Sequence, residues 1–234
     1  MHDWMHSSMT DLLAAAAVEP IVTGMIVGLG TGRAATRGIR ALGARAAAER
    51  LELRCVATSD ASARLAASLG LRVEDLQAVG SIDYLFDGAD EVDADLRMIK
   101  GRGGAMTREK LVAHASRRRV YLIQSDKLVQ RLGEKALLPV EVTPDHLEAV
   151  RGALNAHGLP SDERRTKDGS AYRTDSGNPV LDATLGSGID VSDLATALDK
   201  MAGVVGHGLF LTEADLVLIE DETGKLSRRA RPAP

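Results

Sequence analysis

Short apolar runs alternate with alanine-rich or amphipathic stretches over the first half of the chain. Residues 12–18 read as a short helix, capped by Thr10 or Asp11. Residues 24–28 (GMIVG) form a brief apolar run of the kind a buried strand needs. The run ends in Gly28-Leu29-Gly30-Thr31-Gly32, and an alanine-rich helix follows to about Ala48. A second strand is predicted at 53–58 (LRCVAT), with Ser59 or Asp60 capping a helix that stops near Gly70. A third strand at 83–86 closes on Asp87, and a fourth is expected at 97–100 (RMIK). Residues 101–104 then turn the chain into a helix through about Ser116. A fifth strand at 119–124 (RVYLIQ) ends at Ser125-Asp126-Lys127. Strands alternating with helices predict an α/β fold, a mostly parallel sheet covered on both faces. Ligands bind such sheets at the carboxyl ends of the strands. Residues 28–32, 58–60, 87–90, 100–104 and 125–127 are all predicted to fall there.

The pattern changes after Gly133. A strand is expected at 137–142 (LLPVEV) and an amphipathic helix at 144–157, ended by Gly158. Residues 160–170 are polar and read as an exposed loop. Residues 171–181 read as a hairpin turning at Ser176-Gly177-Asn178, and 192–201 as a helix capped by Ser192. Residues 209–219 look like strand material returning to the first sheet, and the basic, proline-rich tail at 228–234 reads as frayed. This divides the chain into a catalytic α/β domain (1–130 with 206–234) and a small inserted α+β subdomain (131–205).

Composition narrows the function. The net charge of −4 supplies no basic field for nucleic acid or an acidic membrane. With aromatics at 3%, no stacking platform for single strands is available. No run is long enough to span a bilayer, and no basic residue precedes the apolar stretch near the N-terminus. A single cysteine, Cys55, permits no internal disulfide and fits a reducing cytoplasm. It lies within an apolar strand, a place for a buried thiol rather than a nucleophile. His2 and His6 have helical ligand spacing, but the six histidines make no zinc pattern.

The candidate chemistry concentrates in residues 87–110, DGADEVDADLRMIKGRGGAMTREK. Upstream, the loop at Gly30, Thr31 and Gly32 lets main-chain N–H groups converge on an anion at a helix N-terminus, and Arg33 adds a charge. The third glycine of a dinucleotide fingerprint is absent, and so is the lysine of a P-loop. A tight strand–helix turn is the plain alternative. Asp87 and Asp90 place two carboxylates around a glycine turn, where they can push their pKa values apart and shuttle protons. Local caps or a metal site with Glu91, Asp93 and Asp95 are the alternatives, but the spacing is not that of a calcium loop. Lys100 stands just before Gly101, Gly103 and Gly104, where an ammonium can steady an oxyanion. Glu109 lies in the first turns of the next helix, where it could equally complement the dipole. Lys127 is a further cation at a strand end.

GLGTG, ATSDAS, DGADEVD, MIKGRGGAMTREK, SDKLVQRLG, LLPVEV and TDSGNPVLD occur in this order. Together they closely resemble the A-type ribose-5-phosphate isomerases over about residues 20–220. The resemblance implies a Rossmann-like domain with a small α+β insert, assembled as a homodimer or dimer of dimers, with no metal or organic cofactor. It implies interconversion of ribose 5-phosphate and ribulose 5-phosphate through a cis-enediolate, in the non-oxidative pentose phosphate pathway. By this resemblance Glu109 is the base and Asp87 moves protons among sugar oxygens, supported by Asp90. Lys100 and the N–H groups of Gly101, Arg102 and Gly103 stabilise the enediolate. Lys127 holds hydroxyls, Ser59 lines the site, and the loop of Gly30, Thr31 and Gly32 receives the phosphate; Arg33, outside the family pattern, adds a charge beside it. The chain departs from the family pattern in three places. Arg33-Ala34 replaces Ser-Thr, Arg102 replaces a glycine, and Thr10 and Asp11 stand where a phosphate-binding lysine is expected.

Two other functions suit a similar frame. A non-catalytic sugar-phosphate sensor would not need Asp87, Lys100 and Glu109 together. A coenzyme A transferase-like enzyme would use a glutamate nucleophile, but the DGAD and KG runs are foreign to it.

Overall fold

A computed structural model of the chain describes residues 11–231. In chain order, the first elements are α1 (Leu12–Val18), β1 (Ile26–Leu29), α2 (Arg33–Glu49), β2 (Arg54–Ala57) and α3 (Asp60–Ser68). Then come β3 (Arg72–Val73), α4 (Leu76–Val79), β4 (Ile82–Gly88), β5 (Glu91–Val92), β6 (Met98–Ile99), α5 (Met106–His114) and β7 (Ser116–Gln124). The next group is β8 (Leu138–Val142), α6 (Leu147–Ala156), β9 (Ser161–Glu163), β10 (Val180–Ala183) and α7 (Val191–Lys200). The chain closes with β11 (Val204–His207), β12 (Leu209–Phe210), β13 (Leu216–Glu220) and β14 (Leu226–Ala230).

The main sheet has seven strands in the order β14-β13-β7-β4-β1-β2-β3, parallel throughout except for β14. Its central strands are buried on both faces, which is why they read as continuous apolar runs. Alternation sends Val27, Leu29, Tyr84, Phe86, Val120 and Leu122 into a core under α1–α3. Leu85, Tyr121 and Ile123 point to the opposite core, with Met106 and Val112 of α5. From β1 the chain winds outward to β2 and β3, then returns to build β4, β7 and β13 on the other side. The switch point therefore lies between β1 and β4, where a cleft is expected.

A four-stranded antiparallel sheet, β11-β8-β10-β9, carries α6 and α7 around a third core. Its buried Glu141 accepts hydrogen bonds from Thr174 and Asn178 of the TDSGN turn, and from Thr107 in the first turn of α5. One carboxylate thus ties this sheet to the helix that carries Glu109.

Several expected elements take another form. The strand before Lys100 lies outside the parallel sheet. β6 is the centre of a three-stranded sheet, antiparallel to both β5 and β12. The strand material expected at 209–219 is split: β12 pairs with β6, and only β13 joins the main sheet. Residues 160–170 include β9, paired with β10. Residues 171–181 are no hairpin. Ala171 bridges to Arg165, and β10 pairs instead with β8 and β9. Asp190, not Ser192, caps α7, accepting from the N–H groups of Ser192 and Asp193. The tail is no frayed end as far as Ala230, because β14 covers the edge of β13. Ser116 opens β7 rather than closing the preceding helix. Asp11 caps α1 through the Ala14 N–H, while Thr10, His2 and His6 lie outside the described residues.

Candidate active site

A cleft of about 660 Å³ opens at the switch point. Thr31, Gly32 and Arg33 form one wall, Asp90 with Lys100–Gly103 another, and Asp126 and Lys127 a third. Glu109 reaches in from α5, and Arg37 and Gln124 complete the lining. Of the residues singled out from sequence, Thr31, Gly32, Arg33, Asp90, Lys100, Gly101, Arg102, Gly103, Glu109 and Lys127 share this space. Gly30, Ser59 and Asp87 stand behind its surface.

The Lys100 ammonium is the centre. It is 2% exposed and sits 3.0 Å from Asp87 Oδ2 and 3.3 Å from Glu109 Oε1. It also donates to the Gly88 carbonyl. The rings of Tyr121 and Phe210 lie 5.4 and 5.6 Å from it, presenting π faces to the cation. Burial works against this ammonium, but Asp87 and Glu109 outweigh it, so its pKa is raised and the charge persists. Asp87 is wholly buried; its Oδ1 accepts from the N–H groups of Thr31 (2.9 Å) and Gly88 (2.7 Å). Burial raises its pKa despite Lys100. Burial likewise pushes Glu109 up to about 8, with Lys100 opposing and the Asp87 charge adding to the rise. Near neutrality Glu109 therefore largely keeps its proton. Glu109 Oε2 is buried and has no hydrogen-bond partner among the described residues.

Gly30 is required by this arrangement. A Cβ there would lie 2.1 Å from Asp87 Oδ1 and 2.5 Å from Asp87 Cα, so the loop can pass over the carboxylate only without a side chain. Asp90 Oδ2 accepts the Arg102 N–H at 3.0 Å, fixing the glycine turn from below. Ser59 is the N-cap of α3, bonded to Ser62, rather than a group facing the cleft. Lys127 pairs with Asp126 at 3.1 Å.

The remaining acids are structural. Glu91 accepts the N–H groups of Gly133, Lys135 and Ala136, and Asp93 braces the 93–97 turn and pairs with Arg97. Among the described residues, no group of three or more His, Cys, Asp or Glu side chains is placed to hold a metal ion. Cys55 is buried, and burial pushes its thiol up to about 12.

Sequence reasoning missed Arg37. Its guanidinium grips Asp11 (2.5 and 2.7 Å) and Glu220 (2.9 Å), while Gln124 donates to the same Glu220 oxygen at 2.8 Å. Asp11, which stands where the resemblance implies a lysine, is answered by an arginine one turn into α2. The advance hint was Asp11, an acid standing where the resemblance implies a cation.

A doubly wound sheet with an acid–lysine–acid cluster and an anion-accepting loop at its switch point defines a site for proton transfer on a small ligand. The model of the ribose 5-phosphate isomerase A (phosphoriboisomerase A) family matches residues 54–224. Ribose-5-phosphate isomerase A of Thermomicrobium roseum is 44% identical over 220 residues, covering 93% of this chain and 91% of its own length. That of Roseiflexus sp. is 41% identical over 221 residues, covering 94% and 95%. The structure of ribose 5-phosphate isomerase A from Methanocaldococcus jannaschii superposes with a TM-score of 0.88 at 34% identity, covering 93% of this chain and 96% of that one. A D-ribose-5-phosphate isomerase in complex with phospho-erythronic acid gives a TM-score of 0.90 at 31% identity, over 94% and 97% of the two chains. The chain belongs to the ribose 5-phosphate isomerase A family.

Gly30→Ala is expected to destabilise the fold by about 2 kcal/mol or more, since the new methyl meets both the hydrogen-bonded Asp87 carboxylate and the Asp87 backbone. Urea unfolding measures it, and a loss under about 0.5 kcal/mol, within the range of an ordinary surface change, would show that the loop yields freely.

Proposed function

We propose that the protein interconverts D-ribose 5-phosphate and D-ribulose 5-phosphate by proton transfer through a cis-enediolate. The observation that carries this is the free Oε2 of Glu109, a buried carboxylate oxygen without a partner beside a permanent cation. A proton acceptor for a carbon acid needs such an oxygen; a sensor that only binds does not.

The proton next to the substrate carbonyl is acidified when the carbonyl oxygen meets positive charge. Lys100 supplies that charge from an almost wholly buried position, where it is worth most. Glu109 takes the proton and returns it to the neighbouring carbon, which exchanges aldose for ketose. Asp87 keeps Lys100 charged and aimed. An exchange of protons between Asp87 and the sugar oxygens would require Lys100 to loosen its 3.0 Å contact. Asp90 steadies the glycine turn and faces the cleft. Thr31, Gly32 and Arg33 at the start of α2 receive the phosphate, and Lys127 meets sugar hydroxyls. The activity is assigned to the non-oxidative pentose phosphate pathway in the cytoplasm. It is assigned to a homodimer or dimer of dimers, with 1–130 and 206–234 as the catalytic unit and 131–205 as the smaller one.

Following ribulose 5-phosphate appearance tests the proposal. Glu109→Gln should lower kcat by about 10²- to 10⁴-fold, the usual contribution of a general base, while ribose 5-phosphate still binds. Turnover near the parent rate in that variant, or binding without turnover in the parent, would reject it.

The pH dependence has a definite sign. A base must be ionised, so kcat/KM should climb with pH and level off above about 8. Stability should move oppositely. The Glu109 pKa is raised on folding, so the unfolded chain releases this proton first as pH rises. Its contribution is therefore intact below about 4.5 and is lost as pH rises to about 8. Glu109→Gln should remove that fall. Thermal melts of parent and variant across this range measure the difference, and parallel curves would contradict it.

Arg33 lines the cleft, and its guanidinium has no hydrogen-bond or ion-pair partner among the described residues. Arg33→Ala should raise KM several-fold and change kcat by less than about twofold if it grips only the phosphate. Steady-state kinetics decides, and an unchanged KM would remove Arg33 from the phosphate site.

A further inference from the structure

The glycine turn at residues 101–104 is held from outside the cleft by two side chains that none of the sequence motifs pointed to. Arg164, just beyond β9, spends its whole guanidinium fork. Nε and Nη2 grip Asp182 of β10, at 2.8 and 2.5 Å. Nη1 donates to the carbonyls of Gly101 and Arg102, at 2.9 and 3.1 Å. The Tyr172 hydroxyl donates to the next carbonyl, that of Gly103, at 2.9 Å. Its ring lies 5.5 Å from the Arg164 guanidinium, so the two brace one another. Gly104 has no Cβ because one would lie 2.1 Å from that hydroxyl. Three successive carbonyls are thus drawn to one side.

A trans peptide points a carbonyl and the following N–H in opposite directions, and no peptide among the described residues is cis. Fixing the carbonyls therefore fixes the N–H groups of residues 102, 103 and 104. The Arg102 N–H is taken by Asp90 and the Gly104 N–H by the Gly101 carbonyl. The Gly103 N–H donates to nothing among the described residues, and Gly103 lines the cleft.

We propose that Arg164 and Tyr172 are positioning residues that hold the Gly103 N–H ready for the oxyanion of the reaction. Neither touches the substrate. Both act from the antiparallel sheet, anchored by Asp182, and make its placement a condition of turnover. The inference rests on the isomerase proposal, because only an enediolate chemistry gives that N–H a charge to meet. It goes beyond that proposal in choosing one donor of the turn and naming what aims it.

Arg164→Lys and Tyr172→Phe test it. Lysine keeps the charge but cannot reach Asp182 and two carbonyls at once. Its kcat should fall about 10- to 100-fold with KM within about threefold, as for a misaimed transition-state donor. Tyr172→Phe should lose about three- to tenfold in the same pattern, since one of three carbonyl contacts goes. Phospho-erythronic acid carries a carboxylate that presents negative charge to the same donor. Its inhibition constant should rise with the fall in kcat, while inhibition by inorganic phosphate stays as in the parent. If Arg164→Lys does not fold, Tyr172→Phe decides alone. Both variants keeping kcat within about twofold, or phosphate inhibition weakening in step with kcat, would overturn the positioning role. A parent protein that does not interconvert the two sugars fails the isomerase proposal itself, before any variant is compared, and takes this inference with it.

Discussion

A lysine ammonium held almost out of water between two carboxylates is the constraint around which the rest of the molecule is arranged. Removing such a charge from solvent costs several kcal/mol after relaxation, so every one of its donors must be answered. Asp87, Glu109 and the Gly88 carbonyl answer them, and two aromatic faces close the remaining sides. These groups come from β4, α5, β7 and β12, so the cluster can exist only when the parallel sheet, its helix and the small antiparallel sheet are all in register. Gly30 must lack a side chain because Asp87 occupies its space. α5 must start where Glu141 catches Thr107, or Glu109 would miss the lysine.

Stability and reactivity pull apart at this point. Two buried carboxyl groups sharing one cation leave Glu109 holding its proton well above the usual carboxylate range, which costs folding energy as pH rises. The same desolvation gives a carboxylate able to accept a proton from carbon, and the oxygen left without a partner is the one free to do so. The opposite end of the cleft is arranged differently. There Arg37 is bound into a chain of Asp11, Glu220 and Gln124. The acid–base cluster keeps the residues read from the sequence motif, while Arg33 and Arg37 line the other end.

The central strands were readable because burial on both faces leaves uninterrupted apolar runs, as in Val27–Leu29 and Val120–Ile123. Edge strands were not: β9 (SDE) and β14 (LSRRA) expose polar side chains, and polar runs look like loop or tail. The mistaken hairpin at 171–181 had a genuine turn at its centre, but the partner of β10 is β8, about forty residues earlier, and local pattern carries no information on that pairing. Asp87, Lys100 and Glu109 were legible as a motif. Their order of burial was not, and Asp87 proved to lie behind the lysine rather than beside it in the cleft. Arg37 and Arg164 escaped notice because their decisive contacts reach 183 and 63 residues along the chain.

The protonation of Glu109 is the most direct test of the whole account. Carbon-13 NMR of its side-chain carboxyl in the free protein, assigned by loss of the signal in Glu109→Gln, reads the titration without reference to turnover. A midpoint near 8 is predicted, set by burial beside Lys100 and Asp87. A midpoint in the ordinary range near 4.5 would mean that the carboxylate is solvated, and the buried acid–lysine–acid cluster would not exist in solution.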